Sequence, residues 1–337
     1  MTSLNNASLL LGAKLASPFY TTVTPKDTSL KEKDMNKGLE ISPLWLTGFI
    51  DGEGSFFISI YKNKNKLGWA VKPEFQISLH IRDKALLEKI QNYFQVGNLF
   101  ISSKKDICSF RIQSPKDLKI IINHLDLYPL KTQKLSDYIL FKEALNLILN
   151  KEHLTLPGLL KIVAIKASMN LGLSHTLQTT FQDIIPVSRP VFKINNLEPE
   201  WLAGFASAEG CFFVNIFKSP THKLKEGVQL EFSISQHSRD ELLMKSFIDF
   251  FKCGNVHKYN DACYYRIGNI LDLTENIVPL FKKYPILGEK SKDFFDFCEI
   301  LEMIKDKKHL TKEGLDKIKI KKAEMNTGRA SFSGKVS

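Results

Sequence analysis

The sequence predicts an α+β protein built from two similar halves in tandem. The chain has 337 residues, of which 43% are hydrophobic and 25% are charged, so it can bury packed cores and has a length typical of two domains. A segment near residue 45 recurs 156 positions later, which indicates a duplication. Within each half, strand and helix patterns do not alternate one for one, and this order argues against a doubly wound parallel sheet.

The repeat is strongest between residues 45–57 and 201–213, where eight of thirteen positions are identical. The offset of 156 returns downstream at Tyr128 and Tyr284, with drifts of one residue between, as turns of unequal length produce. Proline-rich polar sequence separates the copies. We therefore divide the chain into an N-terminal extension (1–40), an N-terminal unit (41–172), a linker (173–198), a C-terminal unit (199–330) and a tail (331–337).

The elements of the N-terminal unit follow from local signals. Pro43 marks the start of a short helix that Gly54 ends. Two strands follow, the second with apolar residues from Phe75 to Ile81 on one face and polar residues on the other. A helix over 83–95, a strand pair over 98–112 and helices over 117–125 and 134–150 complete the unit.

The C-terminal unit repeats this order, with Phe232 and Ile234 facing inwards. In both units an Arg-Asp pair, ending in Asp83 or Asp240, precedes the helix after the second strand. The aspartate is predicted to cap that helix.

Charge and cysteine content narrow the classes of function. The formal net charge is +11, an excess typical of proteins that bind polyanions such as nucleic acid, although solubility alone can favour it. The five cysteines are widely spaced and form no CxxC pair, which argues against a disulfide framework or a structural zinc. No run approaches the roughly 20 apolar residues of a transmembrane helix, so no membrane partner is expected.

The repeated segment carries the candidate chemistry. Gly48 and Gly52 lie four positions apart on one helix face, and the second copy repeats this spacing of small residues, which lets two helices approach to near-backbone contact. The two helices end in Glu53 and Glu209, so packing them together brings two carboxylates to one place. Such carboxylates repel each other unless a cation lies between them, and oxygen ligands favour Mg²⁺ or Ca²⁺ over zinc.

The two segments resemble the signature of LAGLIDADG homing endonucleases of the single-chain, two-motif type. Residues 46–54 and 202–210 are the motif instances, and the resemblance covers residues 40 to about 330. It implies two pseudo-twofold-related αββαββα units packed through the motif helices, each with a four-stranded antiparallel sheet that binds the DNA major groove. It also implies a monomer that hydrolyses both strands of DNA at a long, non-palindromic site and leaves a staggered cut with 3′ overhangs.

The resemblance also implies a metal site. Glu53 and Glu209 match the metal-binding acids, and the backbone carbonyls of Gly52 and Ala208 match neighbouring metal contacts. Mg²⁺ is the expected ion, Mn²⁺ is expected to substitute for it, and Ca²⁺ is expected to support DNA binding without cleavage.

Three further residues match catalytic positions of the family. Lys134 and Lys290 match basic residues near the scissile phosphates, where they would counter transition-state charge. Gln236 matches a strand-end glutamine of the active-site water network. Leu79 stands at that position in the N-terminal unit, so the two half-sites are expected to differ chemically.

The polar strand faces and the basic loops are expected to contact DNA. Because the two faces differ, the target is expected to be non-palindromic and of roughly 20 base pairs. The strand residues are Ser59, Tyr61, Gln76, Ser78, His80, Ser109 and Arg111 in the N-terminal unit and Asn215, Glu231, Ser233, Ser235, His237 and Arg266 in the C-terminal unit. The loop lysines, expected mainly at phosphates, are Lys62, Lys64, Lys66, Lys218, Lys223 and Lys225.

Two other functions fit the same fold. An RNA maturase would use it to bind intron RNA, although the exposed strand faces offer few aromatic residues for stacking on single-stranded bases. A DNA-binding regulator that lost the chemistry would have no need for both Glu53 and Glu209. The family is often encoded in organelle introns, so the resemblance implies a mitochondrial location, with another organelle or the cytoplasm as alternatives.

Overall fold

The computed structural model describes residues 40–326, apart from residue 103 and residues 193–195. The predicted extension up to residue 39 and the tail 331–337 lie outside the described residues. The N-terminal half contains α1 (Pro43–Glu53), β1 (Gly54–Lys62), β2 (Trp69–His80), α2 (Lys84–Phe94), β3 (Asn98–Ser102), β4 (Ile107–Ile112), α3 (Pro115–Leu127), α4 (Lys134–Leu149) and α5 (Leu156–Ala167). The predicted linker contains one short helix, α6 (His175–Thr180).

The C-terminal half repeats this order with small changes. It contains α7 (Pro199–Glu209), β5 (Gly210–Lys218), β6 (Glu226–His237), α8 (Glu241–Phe251), β7 (Asn255–Tyr259), β8 (Ala262–Ile267), α9 (Ile270–Asp272), α10 (Val278–Lys283), α11 (Lys290–Lys305) and α12 (Lys312–Glu324). A π-helical turn, Leu273–Ile277, joins α9 to α10.

Turn lengths explain the drift in the offset between the halves. The turn at residues 63–68 becomes 219–225, which adds one residue, and the turn at 103–106 becomes 260–261, which removes two. The π-helical turn then adds one residue within a helix, and the offset returns to 156. The four strands of each half keep their lengths, and α1, α2 and α4 match α7, α8 and α11 in length.

Each half contains a four-stranded antiparallel sheet, ordered β1-β2-β4-β3 in the first and β5-β6-β8-β7 in the second. On one face Phe56 pairs with Phe75, and Phe212 pairs with Phe232 in the other sheet; all four are buried against helices. The opposite faces carry the polar residues, as the alternation predicts. The predicted fold class is confirmed.

The two motif helices, α1 and α7, pack directly on each other. A Cβ atom added to Gly48 would lie 1.9 Å from the carbonyl oxygen of Trp201, and one added to Gly204 would lie 1.8 Å from that of Trp45. Both distances are far below van der Waals contact, so the helices approach this closely only because both positions are glycine. Ser42 starts α1, since its hydroxyl accepts a hydrogen bond from the Trp45 amide.

The linker follows the surface of the N-terminal half. The Arg189 guanidinium donates to Asp137 (2.8 Å) and to the Ser168 carbonyl (2.6 Å), and the Ser136 hydroxyl donates to the Pro190 carbonyl (2.8 Å). These bonds hold the linker against α4 and the residues after α5. None of the helices in the described ranges is long and apolar enough to cross a membrane.

A chain of polar side chains in the N-terminal half has no counterpart at the matching described positions of the C-terminal half. His124 lies between the Tyr93 hydroxyl (3.2 Å to Nδ1) and the Thr47 hydroxyl (3.1 Å to Nε2), and Thr47 donates to the Tyr128 carbonyl. Every partner is satisfied when Nε2 carries the proton and the ring is neutral. Burial lowers the pKa of His124 to about 4. The matching residues of the C-terminal half are Ala203, Phe250 and Leu280.

We expect Gly204→Ala to destabilise the protein by at least ~3 kcal/mol, because the new methyl group would overlap the Trp45 carbonyl and force the helices apart. Urea unfolding measures the change. Gly268→Ala is the control, since the nearest atom to a Cβ there is 3.6 Å away. Equal unfolding midpoints for the two variants would contradict the close helix contact.

We expect stability to fall between pH 6.5 and pH 4, because the unfolded chain protonates His124 near pH 6.5 and the folded chain only near pH 4. The full effect of such a shift is ~3 kcal/mol. The triple variant Thr47→Ala, Tyr93→Phe, His124→Leu copies the C-terminal half and lacks this group. Urea unfolding of both proteins at pH 7 and pH 4 gives the difference, and parallel pH dependences would refute the assignment.

Candidate active site and nucleic-acid interface

The C-terminal ends of the motif helices converge. Glu53 is the last residue of α1 and Glu209 the last of α7, and a strand begins at the next residue in each half. A Cβ added to Gly52 would lie 2.2 Å from the Ala208 Cβ and 3.5 Å from a carboxylate oxygen of Glu209. The Glu209 side chain therefore lies over the end of the opposite helix, in space that the absent Gly52 side chain leaves open.

The two carboxylates influence each other. Burial raises the pKa of Glu53, and the negative charge of Glu209 raises it further, while Lys290 and Lys134 act in the opposite direction. The predicted convergence of two acidic groups in poorly hydrated space is therefore present in the structure. A cation in this space would relieve the repulsion between them.

Two lysines donate hydrogen bonds to backbone carbonyls at the C-terminal ends of the motif helices. The Lys134 ammonium donates to the carbonyls of Ile50 (3.0 Å) and Gly52 (2.8 Å). The Lys290 ammonium donates to the carbonyl of Ala208 (2.6 Å) and more weakly to that of Ala206 (3.4 Å). Helix C-termini carry unpaired carbonyls and partial negative charge, so a cation there is favourable.

Burial lowers the pKa of both lysines, and the neighbouring carboxylates oppose this effect. For Lys134 the opposing groups include Asp51 as well as both glutamates. The sequence singled out both lysines by their recurrence, but it did not indicate that they cap the motif helices.

The donor set suits a hard divalent cation. Glu53 and Glu209 offer carboxylate oxygens, and Gly52 and Ala208 offer carbonyl oxygens, each of which has two lone pairs and accepts one hydrogen bond from a lysine. Among residues 40–326 that are described, no cluster of three or more His, Cys, Asp and Glu side chains is arranged to hold a metal ion. The protein would therefore supply two side chains and its backbone carbonyls.

The acid that precedes the motif glutamate differs between the halves. Asp51 is buried and accepts hydrogen bonds from Thr132, from the Lys131 amide and from the indole of Trp201 across the interface (2.8 Å). Ser207 stands at the equivalent position and accepts from the Leu287 amide (3.1 Å). Asp51 is therefore an anchor within the interface and does not reach the glutamate site.

The second half-site difference concerns Gln236 and Leu79. Gln236 lies at the end of β6 and lines one depression with Glu209, whereas Leu79 lies at the end of β2 and lines a cleft with Glu53. The strand registers confirm that the two positions correspond, because Ile77 pairs with Gly54 and Ile234 with Gly210. One glutamate thus has an amide neighbour and the other an apolar one.

The predicted DNA-facing strand residues lie on the outward sheet faces. His80 and His237 are exposed, and each Nδ1 accepts a backbone amide two residues on, which leaves Nε2–H free to donate outwards. Ser109 lies on the same face but is only 3% exposed, and its hydroxyl forms a hydrogen bond with that of Ser78. The lysines of both basic loops are exposed.

Two equivalent arginines are fixed on these faces. Arg111 lies 3.9 Å from Glu74 and over the ring of Phe100, and Arg266 lies 3.7 Å from Glu231 and over the ring of Tyr264. The Cζ atom of each guanidinium thereby lies 5.2 Å from the centre of an aromatic ring. Several further residues share the outward faces and were not singled out, although the same alternation places them there: Phe57, Lys72, Phe100, Phe213, Gln229 and Tyr264.

Comparison with known proteins shows which protein family this chain belongs to. The family model described as LAGLIDADG endonuclease matches residues 46–145 and 202–301. A protein of Neurospora crassa named probable intron-encoded endonuclease 3 is 42% identical over 324 residues, which is 94% of this chain and 61% of that protein. The chain thus spans less than two thirds of this relative. An uncharacterized 50.9 kDa protein in ND4 intron 1 of Podospora anserina is 43% identical over 118 residues, covering 34% of this chain and 26% of that protein.

Solved structures match over most of both chains. The I-SmaMI LAGLIDADG homing endonuclease bound to cleaved DNA has a TM-score of 0.83 and 42% identity, covering 86% of this chain and 98% of that one. I-SmaMI bound to an uncleaved DNA target in the presence of calcium ions has a TM-score of 0.82 and 42% identity, covering 85% of this chain and 99% of that one. With two motif instances, two matching sheets and a family match over both halves, this chain belongs to the LAGLIDADG endonuclease family.

Proposed function

We propose that this chain is a site-specific endonuclease that hydrolyses phosphodiester bonds in both strands of duplex DNA. The observation that carries the proposal is the convergence of Glu53 and Glu209 at the contact of the motif helices, between two sheets with polar outward faces. The similarity to I-SmaMI, whose structures contain DNA, favours DNA over intron RNA as the partner.

In this proposal Glu53 and Glu209 hold the divalent metal, together with the carbonyls of Gly52 and Ala208. When bound, the ion would lower the pKa of a water molecule and stabilise the negative charge that develops on the leaving oxygen. Lys134 and Lys290 hold positive charge beside the same carbonyls, where they would counter the negative charge that develops on the phosphate. Mg²⁺ is the proposed ion, with Mn²⁺ as a substitute.

The outward sheet faces would follow the major groove on each side of the cleavage point. Strand residues such as His80, His237 and the fixed arginines would read base edges, and the loop lysines would neutralise phosphates. Because the two faces carry different residues, the target would be non-palindromic and of roughly 20 base pairs. The proposed product is a staggered double-strand break with 3′ overhangs, made by a monomer.

The cellular setting follows from the relatives. The Neurospora protein is named as intron-encoded, and the Podospora protein is placed in an ND4 intron, which supports a mitochondrial intron as the source of this chain. Selection of cleaved sequences from a randomised duplex library in Mg²⁺ tests the activity and gives the target. A library that stays uncut in Mg²⁺ and Mn²⁺ would overturn the proposal.

We expect Glu53→Gln to reduce cleavage of the selected target by roughly 100-fold or more, because the amide removes a charge that the ion needs. Binding in Ca²⁺, measured by gel shift, is expected to persist, and the fold is expected to be retained because the repulsion from Glu209 is removed. Glu313→Gln, an exposed carboxylate on α12, is the control. Full cleavage by Glu53→Gln would rule out this metal site.

We expect the two strands to be cut at different rates, since Gln236 has no counterpart at Leu79 and only one half-site has a strand-end glutamine to orient water. A supercoiled plasmid with one target should pass through a nicked form. Gln236→Leu should slow one strand roughly tenfold, the effect of one lost hydrogen bond. Leu79→Gln is the matched reverse change. Equal nicking of both strands by the unmodified protein would contradict this asymmetry.

A further inference from the structure

Asp83 and Asp240 were predicted to cap the helices that they precede, and this prediction is wrong. Each stands at the N-cap position, of α2 and α8 respectively, but neither side chain bonds to its own helix. Instead, Asp240 Oδ1 accepts a hydrogen bond from the Gln133 amide (2.7 Å), and Asp83 Oδ1 accepts one from the Glu289 amide (2.7 Å). Both bonds cross from one half of the protein to the other.

These amides lie directly before the active-site lysines. Gln133 and Glu289 are the N-cap residues of α4 and α11, which begin at Lys134 and Lys290, and neither has a side-chain cap of its own. The opposite half thus supplies a carboxylate acceptor for the amide of each N-cap residue. A carboxylate at a helix N-terminus also interacts favourably with the partial positive charge there.

Each lysine segment is held at two points. In the N-terminal half, Asp51 bonds to the Lys131 and Thr132 amides, and Asp240 bonds to the next amide along the chain. In the C-terminal half, Ser207 bonds to the Leu287 amide, and Asp83 bonds to that of Glu289. One anchor comes from the same half and one from the other, so both halves fix the start of each lysine helix.

The surroundings of Asp83 and Asp240 accommodate both carboxylates at these positions. Asp240 is 3% exposed, and a Cβ added to Gly288 would lie 2.6 Å from Asp83 Oδ1, so the chain makes room for that carboxylate. Gly288 has a φ of +77°, a conformation that glycine adopts without strain. Arg82 and Arg239 lie beside the respective carboxylates, at 3.9 and 3.8 Å.

We propose that Asp83 and Asp240 are positioning residues that work in crossed fashion. Asp240 of the C-terminal half sets the place of Lys134 in the N-terminal half, and Asp83 sets that of Lys290. The inference rests on the proposed nuclease function for its kinetic consequence, but the crossed bonds themselves can be tested without cleavage.

The test measures the cleavage rate of each strand separately with end-labelled target DNA. Asp240→Ala is expected to slow one strand about tenfold and the other little, because the lost bond affects one lysine. Asp83→Ala is expected to slow the opposite strand. Asp240→Asn keeps an acceptor oxygen and is expected to restore most of the rate. Should alanine prevent folding, Asp240→Ser, whose hydroxyl is too short to reach the amide, gives the same comparison.

A double-mutant cycle separates positioning from a general loss of structure. The double variant Asp240→Ala, Lys134→Met is expected to cut DNA no more slowly than Lys134→Met alone. When Asp240→Ala is combined with Lys290→Met instead, the two reductions in rate are expected to multiply. Equal slowing of both strands, or multiplied effects with both lysines, would overturn the proposal. If the unmodified protein cuts no DNA, the proposed function fails, and amide hydrogen exchange decides the positioning: Asp240→Ala must speed exchange at Gln133 and not at Glu289.

Discussion

The close contact of α1 and α7 is the constraint on which the site depends. At Gly48 and Gly204 each helix lies against the backbone of the other, at a separation that a single methyl group would prevent. This distance brings Glu53 and Glu209 within electrostatic reach of each other, and it places the lysines of both halves beside the same helix ends. A wider helix pair would leave two separate, solvated carboxylates with ordinary properties.

The charges of Glu53, Glu209, Lys134 and Lys290, which form a buried cluster at the ends of the motif helices, compensate one another. Two carboxylates and two ammonium groups share a space of low polarity, and each group lies near others of opposite sign. A phosphodiester entering the cluster would add negative charge without a partner. Under the proposed function, a divalent cation that enters with the DNA would more than offset this negative charge, which favours binding of metal and phosphate together.

Local patterns predicted more of this protein than long-range contacts. The strands, the motif helices and the convergence of Glu53 and Glu209 could be predicted, because periodicity and the repeat report them directly. Ser109 was placed on the correct face, but the neighbours that cover it belong to other strands. The hydrogen bond of Asp83 to the Glu289 amide joins positions 206 residues apart, so no local sequence pattern predicts it. The polar chain around His124 has no counterpart at the matching described positions of the other half, so the repeat does not predict it either.

Among the described residues, five hydrogen bonds cross between the halves, and they differ in what recombination would do to them. In three of these bonds one partner is backbone: Pro285 for Trp45, Gln133 for Asp240 and Glu289 for Asp83. A chimera that joins one half of this protein to a foreign half would reform them wherever the main chain follows the same path. The other two bonds, between Asp51 and Trp201 and between Ser42 and Glu200, each require two matching side chains. A foreign half must therefore supply matching partners for these two bonds and small residues at the helix contact, whereas none of these contacts involves the outward sheet faces.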